Sequence, residues 1–257
     1  MEDASIRCKF DDVCFDLKTI SDRNTASEIF LFGSWNFVPA KKHCVVFDIG
    51  MNTGLASIFF ASRTYVDSVY GFEPFPKTYQ RAMENIRLNS ADIRKKIIAY
   101  NVGLGKCKKN ISAMYDESYT TNMRTDGIAI EMHGTPERVE DIRIENASEF
   151  LSRILVNISK DVALILKIDC EGAEYEILEA LREDNLLKRF SIVMMETHDG
   201  RQDEAYRILR DGQWNFFARL DGDGQSTVYG VNSRETVEVC DAQLGKKPTY
   251  EIERLLI

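Results

Sequence analysis

The sequence has no paired-cysteine motif, no long apolar run and no surplus of basic residues. Its six cysteines, at positions 8, 14, 44, 107, 170 and 240, include no C-x-x-C pair, and their spacing fits no zinc module. The longest aliphatic run, 162–166, is far too short to cross a bilayer. The N-terminus carries Glu2 and Asp3 and lacks the apolar stretch of a signal peptide. These absences predict a cytoplasmic protein with reduced thiols and no membrane partner.

The charge balance argues against one class of partner. Asp and Glu number 41 against 33 Lys and Arg, which gives a net charge of −8. A broad nucleic-acid surface needs Lys and Arg to replace counterions, so no nucleic-acid partner is expected. The composition, 44% hydrophobic over 257 residues, is that of a globular chain able to bury one large core.

Strand-like and helix-like patterns alternate from Val45 onward. The predicted strands are 45–49, 68–72, 97–102, 163–168 and 191–195, followed by a hairpin of 215–220 and 227–231. Such alternation implies a mostly parallel sheet with right-handed crossovers, and the closing hairpin implies one antiparallel strand near an edge. Residues 104–144 are polar and are predicted to form loops with a β-hairpin, with a turn at 134–136.

The chain is predicted to have three parts. Residues 1–40 form an N-terminal cap, with a hairpin within 7–18 and an aromatic stretch at 25–38. We interpret the aromatic stretch as core filling, and a role in lining a substrate pocket is the alternative. Residues 41–232 form the main domain, and residues 233–257 form a C-terminal extension packed on it.

The most informative segment reads VVFDIGMNTG, at 45–54. A buried strand enters a turn built from Gly50, Asn52 and Gly54 and placed before a helix, which is where an α/β protein holds a nucleotide-like ligand. The turn lacks the G-x-G-x-x-G pattern of NAD enzymes. The glycines let the backbone approach a ligand, and Asp48 is a candidate partner for an ammonium group, directly or through water. A plain tight turn is the simpler interpretation.

Two more strand ends carry candidate ligand-binding residues. Glu73 and Pro74 follow the second strand, at about the spacing of the acid that binds ribose hydroxyls in dinucleotide folds. Glu73 would repel a 2′-phosphate, and its simpler role is to cap a helix. Asn101 and Val102 follow the third strand, where an amide and an apolar edge would meet an adenine or form an ordinary turn.

Ionisable residues concentrate after the fourth and fifth strands. Lys167, Asp169 and Glu171 share one face of an extended segment, and Glu196 and His198 follow the neighbouring strand. An ordinary histidine pKa of about 6.5 suits a general base. The alternative is structural: an ion pair of Lys167 with Asp169 or Glu171, beside acidic residues that favour the dipole of the next helix.

Four segments together resemble the FkbM-type S-adenosylmethionine (SAM)-dependent methyltransferases: FDIGMNTG at 47–54, GFEP at 71–74, LKIDCEGAEYEIL at 166–178 and METH at 195–198. Met51 stands where that family usually has Ala, which is tolerable because only backbone is needed there. The resemblance implies a class I methyltransferase fold: Rossmann-like and doubly wound, with a mostly parallel seven-stranded sheet, one antiparallel strand near an edge and SAM as cofactor. It also implies three groups of site residues: Asp48, Gly50, Asn52 and Gly54 for the methionine part of SAM, Glu73 for its ribose, and Lys167, Asp169, Glu171, Glu196 and His198 for the acceptor.

The implied function is O-methylation of a small molecule, such as a sugar, glycan precursor or natural product. Asp169 or His198 would serve as the base, and Lys167 would stabilise the developing oxyanion. Alternatives are N-methylation and a metal-assisted reaction with Mg²⁺ or Mn²⁺ on Asp169, Glu171, Glu196 and His198. A nucleotide-dependent dehydrogenase and a non-catalytic SAM-binding protein are the rivals from other classes.

Overall fold

The computed structural model describes residues 5–36, 38–39, 43–116, 120, 138–222, 225–233 and 237–238. The turn predicted at 134–136 and most of the predicted extension 233–257 lie outside these residues. Within the described part of the chain, no helix combines the length and the apolar character needed to cross a bilayer.

The elements alternate as the pattern predicts. The strands are β1 Ile6–Phe10, β2 Val13–Leu17, β3 Val38–Pro39, β4 Cys44–Ile49, β5 Val66–Phe72, β6 Ile97–Tyr100, β7 Gly103–Gly105, β8 Lys109–Tyr115, β9 Arg138–Asn146, β10 Ala163–Ile168, β11 Ile192–Thr197, β12 Trp214–Gly222, β13 Gln225–Asn232 and β14 Val237–Glu238. The α-helices are α1 Ile20–Ala26, α2 Leu55–Ala61, α3 Pro76–Arg87, α4 Ala91–Arg94, α5 Ala147–Leu155, α6 Glu174–Glu183 and α7 Gln202–Asp211. A π-helical turn, Ser27–Leu31, extends α1, and a 3-10 turn, Leu187–Arg189, follows α6.

The central sheet has seven strands in the order β12-β13-β11-β10-β4-β5-β6. Strands β6, β5, β4, β10 and β11 are parallel, and β13 runs antiparallel between β11 and β12. This confirms the predicted mostly parallel sheet with an antiparallel strand near one edge. The chain progresses from β4 toward β6 on one side and from β10 toward β11 on the other, so the strand order reverses between β4 and β10. Ligands of such sheets bind beyond the carboxyl ends of the strands at this point.

The two faces of the sheet pack against different layers. All residues of β4 and β10 are buried, as their apolar sequences predict. Val46 and Ile165 pack in one cluster with α2 and the N-terminal segment, whereas Phe47 and Leu166 pack in another with α5, α6 and α7. Because successive strand residues point to opposite faces, one run of apolar residues supplies both layers.

The N-terminal segment packs on the first of these layers. Strands β1 and β2 form the predicted antiparallel hairpin. A capping box between Thr19 and Asp22 opens α1. Phe30 is buried, stacks on Phe15 with ring centroids 4.8 Å apart and meets Phe59 of α2 edge-on at 5.9 Å. Phe30 and Trp35 therefore fill core, as interpreted from the sequence, whereas Phe32 is exposed and Phe37 lies outside the described residues.

The segment between β6 and α5 is more regular than predicted. Strands β7, β9 and β8 form a small separate sheet in that order. The β8–β9 pair is antiparallel, as a hairpin requires, but β7 adds to β9 in parallel. One face of β8 is exposed and the other is partly buried, as a hairpin on the surface requires. The unpredicted strand is β7, which has only three residues and is too short to show a strand period.

Candidate functional site

The turn after β4 is shaped by its contact with the end of β10. Gly50 has φ +80°, and a Cβ at this position would lie 1.7 Å from the backbone oxygen of Asp169. Asn52 has φ +49° and Gly54 has φ +85°, directly before α2. Gly50 thus allows the ends of two parallel strands to approach each other closely, and Gly54 allows the turn to lead into α2.

Lys167 and Asp48 form a buried ion pair behind this turn. Lys167 Nζ lies 3.1 Å from Asp48 Oδ1 and 3.5 Å from Asp169 Oδ2, and it donates a 2.7 Å hydrogen bond to Gly50 O. Burial disfavours the lysine charge, but Asp48 and Asp169 outweigh this effect and hold the Lys167 pKa above its usual value. The other oxygen of Asp48 accepts from Ser57 Oγ at 2.6 Å. The predicted ion pair of Lys167 with Asp169 is present, but its closer carboxylate partner lies on β4.

This pairing changes the expected role of Asp48. The carboxyl is fully buried, does not line the cavity and already binds Lys167 and Ser57. Contact with the ammonium group of a ligand, predicted from the sequence, is therefore not supported at this position. Asp48 instead anchors the lysine that holds the turn.

Glu73 lies at the end of β5, beside the turn. Its Oε2 accepts from Asn52 N and its Oε1 from Phe75 N, both at 3.0 Å. Burial raises the Glu73 pKa to about 7, against the lowering effect of these two backbone donors. The carboxyl lines the cavity together with Pro74. The Glu73 carboxyl thus holds the turn through Asn52 and the approach to α3 through Phe75, although it caps no N–H inside that helix. Its ligand-binding role stays a prediction.

The residues after β6 are placed differently from the prediction. Asn101 donates through Nδ2 to the backbone oxygens of Glu73 and Pro74, at 2.8 and 3.1 Å. Neither Asn101 nor Val102 is among the residues that line the cavity. The next two residues along the chain, Gly103 and Leu104 of β7, do line it. The amide of Asn101 therefore supports the Glu73 backbone instead of facing a ligand.

Met51, the departure from the family pattern, is accommodated by a second glycine. Its side chain is buried, and a Cβ on Gly71 of β5 would lie 2.4 Å from Met51 Sδ. The missing side chain at Gly71 thus provides the volume that the longer residue needs. Met51 is also among the residues that line the cavity.

Glu174 holds the loop after β10 in place. Its carboxylate accepts from Cys170 N at 3.0 Å and from Gly172 N at 2.8 Å, and it lies 2.8 Å from His198 Nδ1. Glu171, inside this loop, adopts φ +55°, a conformation that costs a non-glycine residue energy. The sequence predicts only that acidic residues here favour the dipole of α6. The spacing of these residues gives no sign that Glu174 has a partner on the next strand.

His198 is buried among carboxylates. Besides Glu174, its ring faces Glu171 and Glu196, with Nε2 3.4 Å from Glu171 Oε2 and 3.8 Å from Glu196 Oε1. Burial opposes a charged ring, but the hydrogen bond to Glu174 and the charge of Glu171 outweigh it and raise the His198 pKa to about 10. These neighbours favour the protonated ring in the absence of another cation. The general-base argument from an ordinary histidine pKa does not apply here.

The carboxyls around His198 hold their protons more tightly than usual. Burial, and then the charge of Asp169, raise the Glu196 pKa to about 8. The Glu171 pKa is well above its ordinary value, chiefly through burial. These groups come together because β10 and β11 are adjacent parallel strands whose carboxyl ends meet at one edge.

The cavity at the switch point collects most of the predicted site residues. Those that line it are Gly50, Asn52, Glu73, Pro74, Lys167, Asp169, Glu171 and Glu196. Gly54 and His198 lie behind the lining. The N-terminal segment adds residues that the sequence analysis did not single out, namely Asn24, Thr25, Glu28, Ile29 and Trp35. The aromatic stretch therefore lines the pocket in part, in addition to filling core.

A second cavity adjoins the first. The two share Glu28, Trp35, Glu196 and Gln225. Beyond these residues the second cavity is lined mainly by polar side chains of the β12–β13 hairpin: Arg219, Asp221 and Thr227. Arg219 donates to Asp221 and Thr227, so its charge is largely engaged within the protein. The contribution of this hairpin was not predicted, because nothing in its sequence distinguishes it from an ordinary edge hairpin.

Comparisons with known proteins show the family of the chain. A family model described as "Methyltransferase FkbM domain" matches residues 48–222. The chain is 25% identical over 193 residues to "Methyltransferase 1" of Beauveria bassiana, covering 69% of this chain and 74% of that protein. It is 25% identical over 218 residues to "Methyltransferase sdnD" of Sordaria araneosa, covering 73% and 83%. A crystal structure described as methyltransferase FkbM from Methylobacillus flagellatus aligns with TM-score 0.49 and 15% identity, over 74% of this chain and 44% of that one.

Proposed function

Because the chain belongs to the FkbM methyltransferase family, we propose that it moves the methyl group of SAM to a hydroxyl of a small molecule, such as a sugar, glycan precursor or natural product. The observation that carries this proposal is the cavity at the switch point. Ligand-binding groups suited to an adenosyl amino acid lie at one end, and proton-accepting groups lie at the other. SAM, when bound, supplies a methyl group already made electrophilic by its sulfonium.

The residues at the β4–β5 end fit such a cofactor. Asn52 Oδ1 is buried and has no hydrogen-bond partner among the described residues, although Asn52 lines the cavity. A buried acceptor without a partner is costly, and a ligand ammonium or hydroxyl would supply the missing donor. The carboxylate of Glu73 lies within hydrogen-bond distance of Asn52 N and has lone pairs left for ribose hydroxyls.

We assign the proton-accepting role to Asp169. Its carboxyl lines the cavity and its side chain is 27% exposed, whereas His198 is buried, does not line the cavity and has neighbours that favour its protonated form. The oxygen of the acceptor would bond to the methyl carbon as the bond from that carbon to the sulfur of SAM breaks and S-adenosylhomocysteine leaves. The proton of the acceptor hydroxyl would pass to the Asp169 carboxylate. Much of the acceleration would come from holding the two reactants in line.

Lys167 acts in this proposal through other residues. Its ammonium group faces Gly50 O, Asp48 and Asp169, which are enough partners for its three N–H groups. It therefore positions the turn and Asp169, and it is not assigned contact with the developing oxyanion.

The second cavity is our candidate for the body of the acceptor. It opens from the first beside Glu196, close to the end where Asp169 lies. The charged groups of Arg219 and Asp221 and the hydroxyl of Thr227 suit an acceptor with several hydroxyl groups.

Calorimetry tests the cofactor assignment. Wild-type protein should bind SAM and not NAD, and Glu73→Ala should weaken SAM binding by about 10–100-fold, since hydrogen bonds to a charged group contribute about 1.5–3 kcal/mol. Glu84→Gln, at an exposed carboxylate paired with Lys18, is the control and should bind as wild type. NAD binding without SAM binding would overturn the proposal.

Methyl transfer tests the acceptor side. With labelled SAM and a panel of hydroxylated sugars and natural products, Asp169→Asn should lower turnover by about 10²–10⁴-fold, the usual contribution of a general base. Its SAM affinity should stay near that of wild type. Transfer only to amine acceptors would refute O-methylation.

A further inference from the structure

We infer that Asp169, Glu171 and His198 form a binding site for one divalent metal cation. One donor atom from each of these side chains lies within 4.8 Å of the others. Asp169 directly follows β10 and His198 directly follows β11, and Glu174 clamps the loop that carries Glu171. Ligands held on adjacent strands and a clamped loop lose little freedom when a cation binds.

His198 distinguishes this group from an ordinary acidic cluster. Its side chain is 4% exposed, and Nδ1 lies 2.8 Å from Glu174 Oε1. Its Nε2 forms no hydrogen bond with any residue in the described ranges and lies 3.4 Å from Glu171 Oε2. A neutral imidazole that donates from Nδ1 to a carboxylate presents a lone pair at Nε2, which is how metal-binding histidines are oriented.

The spacing and the charge both suit a cation. Neighbouring ligands with bonds of about 2.1–2.4 Å lie about 3.0–3.4 Å apart, close to the separation of Nε2 and Glu171 Oε2. Glu196 adds a third carboxylate, with Oε1 3.8 Å from the same nitrogen. The neighbouring lysine, Lys167, lies 3.1 Å from Asp48 Oδ1 and 3.5 Å from Asp169 Oδ2, so its single charge is shared between two carboxylates. A divalent cation would offset this concentration of negative charge.

The donor set suggests the metal and its use. Carboxylates suit Mg²⁺ and Mn²⁺, and imidazole suits softer ions, so Mn²⁺ is the probe that tolerates both. The binding itself does not depend on the proposed function, but its use does: a cation here would acidify an acceptor hydroxyl. A carboxylate that binds a cation through one oxygen keeps lone pairs on the other, so Asp169 would hold the cation and still accept the proton of the acceptor.

Titration of the full-length protein with Mn²⁺, followed by electron paramagnetic resonance of the free ion, tests the site. Wild type should bind one Mn²⁺ per chain, and Asp169→Asn and His198→Gln should each weaken it at least tenfold. Glu174→Gln should weaken it by roughly 10–100-fold through loss of orientation at His198. Glu28→Gln removes a carboxylate that lines the same cavity outside the cluster and should bind Mn²⁺ as wild type does.

Two results would overturn the inference: no saturable binding by wild type, or equal affinity in wild type and Asp169→Asn. If His198→Gln fails to fold, the Asp169→Asn variant still tests the site, because the Asp169 side chain is partly exposed and tolerates this isosteric change. SAM calorimetry in EDTA separates the two proposals. SAM binding without Mn²⁺ binding refutes the cation site alone, and Mn²⁺ binding without SAM binding supports the site while refuting the proposed function.

Discussion

At the scale of single residues, one buried cation ties two strands together. Lys167 is 2% exposed, and its partner Asp48 is completely buried. Their register on β10 and β4 is direct, since the two residues are aligned partners in the parallel ladder. Charges removed from water in this way are tolerated only as a pair, because either one alone keeps the full cost of desolvation.

Replacing Lys167 with Met should therefore destabilise the protein by about 3–5 kcal/mol, the usual effect of breaking a buried ion pair. Urea denaturation followed by circular dichroism measures the loss. The double variant Lys167→Met with Asp48→Asn is the matched control and should recover much of it, because it leaves no buried charge unpaired. A single variant as stable as wild type would show that the pair contributes little.

At the scale of elements, the N-terminal segment is joined to α2 through aromatic contacts. Phe30 in the π-helical turn packs on Phe15, Phe10 and Phe59, while Phe32, two residues later, is 74% exposed. Residues of the same segment line the cavity. Docking of this segment thus contributes to both the core and the site.

Phe30→Ala should cost about 3–5 kcal/mol in the free energy of unfolding, as expected for an aromatic side chain removed from a core. Phe32→Ala makes the same chemical change at an exposed position and should stay within about 0.5 kcal/mol of wild type. Thermal and urea unfolding measure both. Equal effects for the two variants would show that the segment is not docked as described.

At the scale of the whole molecule, two titratable groups of the site are expected to make the free energy of unfolding fall as pH rises. Glu73 has its pKa raised from 4.5 to about 7, and His198 from 6.5 to about 10. Both groups bind a proton more tightly in the folded than in the unfolded state. Their contribution to stability is therefore complete at low pH and is lost as pH rises through the folded-state values.

The free energy of unfolding should accordingly fall as pH rises from about 5 to 9, measured by urea denaturation in EDTA. Glu73→Gln should flatten the part of this fall between pH 4.5 and about 7, the interval between the two Glu73 values. Glu84→Gln is the control, because its pairing with Lys18 lowers the Glu84 pKa and keeps it ionised over this range. An unchanged slope in Glu73→Gln would contradict the prediction.

The sheet was predictable because each strand has its own local signal. The apolar runs of β4 and β10 and the turn residues beside them determine strand type without knowledge of neighbours. The hairpin of β12 and β13 was equally visible, since a Gly-rich loop separates two apolar stretches. In the small β7–β9–β8 sheet, the hairpin was predicted but β7 was not, because three residues are too few to show a strand period. The three-part division at 1–40, 41–232 and 233–257 stays a prediction.

The site was predictable in its members but not in their pairings. Gly50, Asn52, Glu73, Asp169, Glu171 and Glu196 line one cavity, which follows from their positions after parallel strands. The roles of Asp48, Asn101 and His198 differ from those predicted, because their polar atoms form hydrogen bonds or ion pairs with residues distant in sequence. Those partners are Lys167, the Glu73 backbone and Glu174.

The sequence by itself determined the alternating fold, the glycine turn and the family, because these depend on residue types at short, regular spacings. Only the tertiary structure decided which charges neutralise one another and which remain open to a ligand. Burial raises the pKa of Glu73, and Glu174 and Glu171 raise that of His198 against the effect of burial. No local pattern shows these shifts, because they depend on neighbours from other strands. Trp35 and Arg219 likewise line cavities only because the N-terminal segment meets the β12–β13 hairpin, where Arg219 donates to Ser34.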